Sequence, residues 1–91
     1  MTITTADPAP VDTTIGKRIR CARVNASMTQ SELGDHLGCS SQQIHKYERG
    51  SNRVSAGTLF VIAKVLEYPV DWFFMENAQR DETTVATVLY H

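Results

Sequence analysis

Apolar residues recur at helical spacing over most of the chain, in short runs that polar segments separate. Ile15, Ile19 and Ala22 follow one another at intervals of four and three residues, which places them on one face of a helix. This spacing predicts a first helix over residues 15–24. The same period returns three more times before Pro69, so an all-α fold is expected.

The residues before this helix are mostly polar and carry no hydrophobic period. Residues 1–12 contain two of the three prolines, and we expect them to form a flexible arm. Thr13 or Thr14 can then cap the first helix with its hydroxyl group. The folded domain is therefore predicted to begin near residue 13.

A second helix is predicted over residues 30–37 because both of its ends carry clear signals. Thr29 and Glu32 have the Thr-x-x-Glu spacing of a capping box, in which each side chain satisfies a backbone N–H group near the start of the helix. Gly38 follows the last apolar residue, at the position where a left-handed residue commonly ends a helix.

A third helix is predicted over residues 41–49. Ser40 and Gln43 repeat the capping pattern, and Gly50 ends the helix. Only three residues, the first of them glycine, separate this helix from the second. Two helices joined by so short a turn must diverge sharply, which predicts a helix-turn-helix unit.

The remaining apolar positions predict a fourth helix capped by Ser55 and a short fifth helix that begins at Pro69. These elements together give a compact five-helix domain over residues 13–75. Residues 76–91 are expected to be a polar tail, with weak β propensity near its end, and they are a candidate dimerisation or partner-binding segment. The apolar residues that define the last two helices are Leu59, Ile62, Ala63, Leu66, Val70, Trp72 and Phe73.

The net charge of −1 conceals an uneven distribution of charged residues. Residues 14–53 contain seven basic and three acidic residues and carry a charge of +4, whereas the rest of the chain carries −5. A basic half on a nearly neutral protein is compatible with nucleic-acid binding, and it is equally compatible with an ordinary solvated surface. Charge alone therefore leaves both interpretations open.

The sequence offers little support for catalysis, metal binding or membrane insertion. It has two cysteines, no secretory signal and no apolar run of membrane-spanning length, so a cytoplasmic location is expected. His36, Cys39 and His45 suggest a zinc site, but no fourth ligand stands at zinc spacing. We therefore expect no cofactor, no metal and no enzymatic activity.

Residues 28–50 resemble the Cro/C1-type (XRE) helix-turn-helix domain, whose fold is lambda-repressor-like. Gly34 supplies a small residue inside the second helix, where the third helix is expected to cross closely. Residues 65–74 resemble the closing helix of that family, so the similarity covers roughly residues 15–74. A helical bundle without DNA binding is the alternative. The resemblance implies a shared core of Leu33, Leu37, Ile44 and Tyr47.

The resemblance implies that the third helix enters the major groove of double-stranded DNA with its N-terminal residues at the base edges. Gln42 is the first candidate, because a glutamine amide both donates to and accepts from the edge of adenine. Lys46 can donate to guanine, and a solvated helix face is the alternative for each residue. The candidate base-reading residues are Ser41, Gln42, Gln43, His45 and Lys46.

Phosphate contacts are expected from neighbouring segments. Gln30 stands at the start of the second helix, where side-chain and backbone donors can hold a phosphate group. Arg18 is a further candidate, although general solubility is the interpretation that we favour for it. The candidate phosphate-binding residues are Lys17, Gln30, Arg49, Asn52 and Arg53.

The resemblance also implies structural roles. Arg23 and Glu48 are expected to pair and so to join the first helix to the end of the third. Glu67 stands where the family usually has glycine, which predicts strain in that turn. Gly34 stands where alanine is commoner, at a cost of about 1 kcal/mol in helix propensity. The tail after Asn77 has no counterpart in the minimal domain.

Three hypotheses for function follow. The first is a sequence-specific transcriptional regulator, acting as a repressor, that binds DNA as a homodimer. Trp72 and Phe73 are then core residues, and Phe74 is a candidate dimer contact. The second is an antitoxin-like module that binds a partner protein through residues 76–91 and represses its own promoter. The third is an inert helical scaffold.

Overall fold

The computed structural model describes residues 7–76 of the 91-residue chain. Within that range the fold is all-α and contains no strand. None of these helices combines the length and the apolar character that crossing a membrane requires. The predicted arm before Asp7 and the predicted tail after Glu76 lie outside the described residues. The elements are α1 (Ala9–Asn25), α2 (Gln30–Leu37), α3 (Ser41–Arg49), α4 (Ala56–Leu66) and a 3₁₀ helix (Val70–Phe74).

The closing element is a 3₁₀ helix, at the place where the sequence predicts a short fifth helix. Its backbone bonds span three residues: Trp72 N–H donates to the Pro69 carbonyl at 3.1 Å, and Met75 N–H donates to the Trp72 carbonyl at 3.3 Å. Segments of this length commonly adopt the tighter 3₁₀ form, because they gain few α-helical bonds. The five-helix prediction is thus corrected to four α-helices and one 3₁₀ helix within residues 7–76.

Helix α1 begins at Ala9, well before the predicted start at residue 15. Pro8 and Pro10 lie at its start, where a missing N–H group costs little because those groups have no partner inside the helix. Asp7 Oδ1 accepts a hydrogen bond from Ala9 N–H at 3.0 Å and so satisfies one of the free donors. The two prolines are therefore compatible with the start of the helix.

Thr13 and Thr14 lie inside α1 and do not cap it. Their hydroxyl groups donate to the carbonyls of Ala9 and Pro10, each at 3.1 Å. The cap prediction is wrong, and the flexible-arm prediction is wrong for residues 9–12. Both errors arise from Pro8 and Pro10. Proline is unfavourable inside a helix but favourable in its first turn, so these two residues do not exclude a helix that begins at Ala9.

The caps of the next three helices are those that the sequence predicts. The Thr29 hydroxyl oxygen accepts from Glu32 N–H at 3.0 Å, and Thr29 N–H donates to Glu32 Oε1 at 2.8 Å, which completes the capping box. The hydroxyl oxygens of Ser40 and Ser55 each accept from the N–H group three residues later, at 3.1 Å. The starts of α2, α3 and α4 are therefore confirmed.

Every element contributes to one apolar core. Trp72 is 7% exposed and Phe73 is fully buried, so the 3₁₀ helix seals the core as expected. Phe74 is exposed, and its role as a dimer contact stays a prediction. Leu37 and Tyr47 are half-buried and pack against the edge of the core. The fully buried apolar side chains are Ile19, Ala22, Leu33, Ile44, Ile62 and Phe73.

Two buried glycines allow backbone segments to approach closely. A Cβ atom on Gly34 would lie 2.5 Å from the Cys39 carbonyl oxygen, so α2 packs against the turn that leads into α3. A Cβ atom on Gly16 would lie 2.5 Å from the Tyr47 carbonyl oxygen, so α1 crosses the backbone of α3 there. The sequence pattern predicts the close approach at Gly34, although the neighbour is the turn and not α3. It gives no sign of the contact at Gly16.

Arg18 is a core residue in this fold. It is 2% exposed, and its Nε donates to the Met75 carbonyl at 2.8 Å. Its guanidinium carbon lies 4.4 Å from the centroid of the Trp72 ring, within cation–π distance. Arg18 therefore fastens α1 to the end of the 3₁₀ helix. Both the solubility and the phosphate interpretations of this residue are wrong, because its side chain is buried.

Glu67 ends α4 in the left-handed conformation, with φ 64° and ψ 47°. For an L-residue this region costs about 1–2 kcal/mol, because Cβ approaches the following carbonyl oxygen. The unfavourable backbone conformation predicted at this position is confirmed. Ser27 is the other described residue besides glycine with a positive φ, at 55°, in the connector between α1 and α2.

Candidate nucleic-acid interface

Helix α3 has one face in the core and the opposite face in solvent. Ile44 and Glu48 are buried and lie one turn apart on the inner face. Three of the five predicted base-reading side chains are exposed at helical spacing, and two are half-buried. The exposed side chains are Gln42, His45 and Lys46, and the half-buried ones are Ser41 and Gln43.

A buried ion pair fixes the second half of α3 to α1. Arg23 Nε donates to Glu48 Oε2 at 2.5 Å, and a second guanidinium nitrogen donates to Glu48 Oε1 at 3.0 Å. The two side chains are 11% and 4% exposed. The remaining guanidinium nitrogen donates to the Met28 carbonyl at 2.8 Å. These bonds satisfy the two charged groups and set the position of α3 relative to α1 and to the connector before α2.

Gln30 joins the same network from the start of α2. Its Nε2 donates to Glu48 Oε1 at 3.1 Å, and the residue is half-buried. A side-chain amide carries two N–H donors and one acceptor oxygen, so this bond leaves further hydrogen-bonding capacity for a ligand. The bond to Glu48 also orients the amide, which links the predicted phosphate contact to the ion pair that holds α3.

The end of α3 and the loop after it present three predicted phosphate-binding residues. Arg49 and Asn52 are exposed. Arg53 is exposed too, but its Nε donates to Asp12 Oδ2 at 3.1 Å. The backbone N–H group of Asn52 donates to the Lys46 carbonyl at 3.4 Å, which holds the start of the loop against the end of α3. The sequence pattern gives no sign of the contact with Asp12, because the two residues are 41 positions apart.

Lys17 is exposed on α1, so a phosphate group can reach its side chain. Its neighbour Arg18 is buried in the core. Helical spacing signals that difference, because position 18 follows Ile15 by three residues and precedes Ala22 by four.

The residues that suggest a zinc site do not form one in this fold. His36 and His45 are exposed on α2 and α3, and Cys39 is half-buried in the turn between these helices. Among residues 7–76, no three His, Cys, Asp or Glu side chains form a group that could hold a metal ion.

Comparison with known proteins identifies the family of this arrangement. A family model described as Helix-turn-helix matches residues 19–73, which include all of α2, α3 and α4. An HTH-type transcriptional regulator of Sinorhizobium medicae is 47% identical over 74 residues, which are 81% of this chain and 52% of that protein. A transcriptional regulator of Rhodospirillum rubrum, in the ATPase CF(0) region, is 45% identical over 78% of this chain and 66% of its own length.

Solved structures share the fold. The P22 c2 repressor, crystallised with a synthetic operator, superposes with a TM-score of 0.63 and 27% identity, over 69% of this chain and 96% of that chain. The clp gene regulator ClgR from Corynebacterium glutamicum gives a TM-score of 0.69 and 25% identity, over 87% and 89% of the two chains. The chain spans about half the length of the first curated relatives it matches. It belongs to the Cro/C1-type (XRE) helix-turn-helix family of transcriptional regulators.

Proposed function

We propose that the chain is a sequence-specific DNA-binding regulator of transcription that reads the major groove with α3. The observation that carries the proposal is the exposed polar face of α3, on a helix whose opposite face is fixed by the core and by the Arg23–Glu48 pair. A helix held in this way can place donors and acceptors at base edges with the accuracy that hydrogen bonds require.

The base contacts are assigned by the chemistry of each side chain. Gln42 recognises adenine, because its amide donates to N7 and accepts from the N6 amino group, and Lys46 donates to O6 and N7 of guanine. Ser41 can serve either base, while Gln43 and His45 border these contacts. A good bidentate contact discriminates between bases by about 1–3 kcal/mol.

The phosphate contacts come from three segments of the chain and set the register of α3 on the duplex. Gln30 and the start of α2 hold one phosphate group. The other contacts combine charge and hydrogen bonding and carry no sequence information. They are made by Lys17 on α1 and by Arg49, Asn52 and Arg53 at and after the end of α3.

We propose further that the regulator is a repressor and binds as a homodimer. The similarity to the P22 c2 repressor, whose crystal structure contains an operator, supports the repressor role. One helix-turn-helix makes few base contacts, and two copies on half-sites about 34 Å apart would supply the specificity that one copy lacks. Reading of this kind uses hydrogen bonds and charge, so the proposal includes no cofactor and no catalysis.

Selection of binding sites from a random DNA pool, followed by fluorescence anisotropy on the selected operator, tests this function. The proposal predicts affinity at least about 10³-fold higher for the operator than for scrambled DNA of the same length. Equal affinity for the two duplexes, with equal dependence on salt, would mean that binding is electrostatic only and would reject sequence-specific reading.

The antitoxin-like hypothesis depends on residues 76–91, of which all but Glu76 lie outside the described residues. It stays a prediction, and a pull-down with the full chain tests it. A captured partner protein, together with failure to shift any selected DNA, would favour it over the regulator proposal.

A further inference from the structure

Helix α4 and the segment after it form an open apolar cleft. Phe60 is 55% exposed, Val70 is 39% exposed, and both line the cleft together with the half-buried Tyr68. The cleft has a volume of about 550 Å³. Large apolar side chains exposed side by side commonly mark a surface that another group covers. We call this surface the α4 cleft, and its defining residues are Phe60, Lys64, Glu67, Tyr68 and Val70.

The described part of the chain ends close to this cleft. Val70 is the first residue of the 3₁₀ helix, which rises about 2 Å per residue, so Phe74 at its other end lies about 8 Å away along the helix axis. The buried Arg18 donates from its Nε to the Met75 carbonyl at 2.8 Å, which holds the end of this helix against the core. The point from which residues 77–91 continue is therefore fixed, and it is near the α4 cleft.

The sequence after Glu76 contains apolar side chains that are suited to the cleft, within reach of it. Val85 comes nine positions after Glu76, and nine extended residues span up to about 30 Å. The intervening residues 77–84, which we call the tether, are thus long enough to bring residues 85–90 back over Val70 and α4. All the large apolar residues of the stretch 77–91 fall in that segment, namely Val85, Val88, Leu89 and Tyr90.

We propose that residues 85–90 of the same chain occupy the α4 cleft. Removal of their apolar side chains and of the exposed Phe60 and Val70 from water supplies the affinity. A short flexible tether gives the segment attached to it an effective concentration in the millimolar range. The segment of the same chain therefore has the advantage over a second copy or a free partner, either of which must bind from dilute solution.

The charges of the cleft and of the tether are complementary. Lys64 and Glu67 both line the cleft, and within residues 7–76 neither has an ion-pair partner. Exposed ion pairs add little affinity, so pairs between tether and cleft serve mainly to set the position of the docked segment. The tether offers an opposite charge to each of the two, through Arg80, Asp81 and Glu82.

Docking within the chain covers two apolar surfaces at once, the α4 cleft and residues 85–90. A partner protein that binds either surface must first displace the docked segment, so its apparent affinity is reduced in proportion to the fraction of chains that are open. Release of the segment exposes both surfaces together. The inference does not depend on DNA binding, because α3 contributes no residue to the lining of the cleft.

Nuclear Overhauser effects measured on the full chain test the contact directly. An isotope-labelled sample gives cross-peaks between the Phe60 ring and the Leu89 methyl groups. A mixture of labelled and unlabelled chains, filtered for contacts between chains, gives none of them. Absence of the cross-peaks from the labelled sample overturns the proposal, because the segment then does not lie in the cleft. Their presence between chains also overturns it, because the occupant is then a second copy.

A double-mutant cycle, measured by urea unfolding of the full chain, tests the energetics. Leu89→Ser raises the unfolding equilibrium constant by about three- to tenfold, because folding then buries less apolar surface. In the Phe60→Ser background, the same change has an effect of less than about 1.5-fold, since the contact is already lost. Val24→Ser is the matched control background, because Val24 is 53% exposed on α1, and there Leu89→Ser keeps its full effect.

Two results of this cycle contradict docking within the chain. Equal effects of Leu89→Ser in the Phe60→Ser and Val24→Ser backgrounds place the segment elsewhere and overturn the proposal. Coupling between Phe60 and Leu89 that grows with protein concentration overturns it as well, because docking within one chain is independent of concentration.

Discussion

Asp12 Oδ2 accepts a hydrogen bond from Arg53 Nε at 3.1 Å, which ties the N-terminal part of α1 to the loop after α3. The Arg53 side chain is 66% exposed and the Asp12 side chain is 13% exposed. Because the contact uses Nε, the two terminal guanidinium nitrogens can still reach a phosphate group. Asp12 thus places a negative charge beside a proposed phosphate contact.

Asp12→Asn is expected to tighten binding to operator and scrambled DNA alike, by about two- to fivefold. The substitution removes the repulsion between the Asp12 carboxylate and the DNA phosphate group, and the energy of that repulsion is about that of one exposed charge pair. The slope of log affinity against log salt steepens, and unfolding free energy changes by less than about 0.5 kcal/mol. Anisotropy titrations at several salt concentrations check this. Weaker binding by Asp12→Asn, comparable to that of Arg53→Gln, would mean that the acid chiefly positions Arg53.

Glu48→Gln is expected to lower the unfolding free energy by about 3–5 kcal/mol, because it leaves the Arg23 guanidinium largely buried without a counter-charge. Urea unfolding followed by the fluorescence of Trp72, the single tryptophan, measures the change. Asp35→Asn removes an exposed acid from α2 and should change stability by less than about 0.5 kcal/mol. A small effect of Glu48→Gln would contradict the structural role of the pair.

Gly16→Ala is expected to destabilise the fold by about 1–3 kcal/mol, because the new Cβ would lie 2.5 Å from the Tyr47 carbonyl oxygen and would push α1 away from α3. Gly57→Ala on α4 is the matched control. No atom outside its immediate surroundings lies within 4 Å of the added Cβ, so the gain in helix propensity should stabilise by about 0.5–1 kcal/mol. Thermal unfolding of both variants tests whether their changes in stability have opposite signs. Changes of the same sign would contradict the close crossing of α1 and α3 at Gly16.

Glu67→Gly is expected to be more stable than Glu67→Ala by about 1 kcal/mol, because glycine adopts the left-handed conformation at φ 64° without a Cβ penalty. The two variants remove the same charge, so their difference isolates the backbone. Urea unfolding at a concentration where the chain is monomeric gives the comparison. An alanine variant as stable as the glycine variant would show that the turn carries no strain.

Local signals in the sequence account for most of the fold. The Thr29–Glu32 capping box and the caps at Ser40 and Ser55 each lie within four residues, so the pattern predicts the starts of three helices correctly. The start of α1 is missed because Pro8 and Pro10 support a helix only when they fall in its first turn, and composition alone does not reveal that position.

Contacts between distant segments account for the rest. The burial of Arg18 beneath Trp72 and the bond between Asp12 and Arg53 join residues more than 40 positions apart. Helical spacing places Arg18 on the apolar face of α1. It does not show that the guanidinium group will contact the Trp72 ring and donate to the Met75 carbonyl. Gly16 carries no local signal at all, because its role depends on where α3 crosses.

The exposed face of α3 is the proposed base-reading surface. The variant with Gln42→Ala and Lys46→Ala together removes the two main base contacts and leaves the buried face of the helix intact. The most direct measurement is the ratio of operator affinity to scrambled-DNA affinity for this variant and the wild type, with the melting temperature measured in parallel. We predict a loss of at least about tenfold in that ratio with an unchanged melting temperature. An unchanged ratio would show that α3 does not read the DNA sequence through these residues.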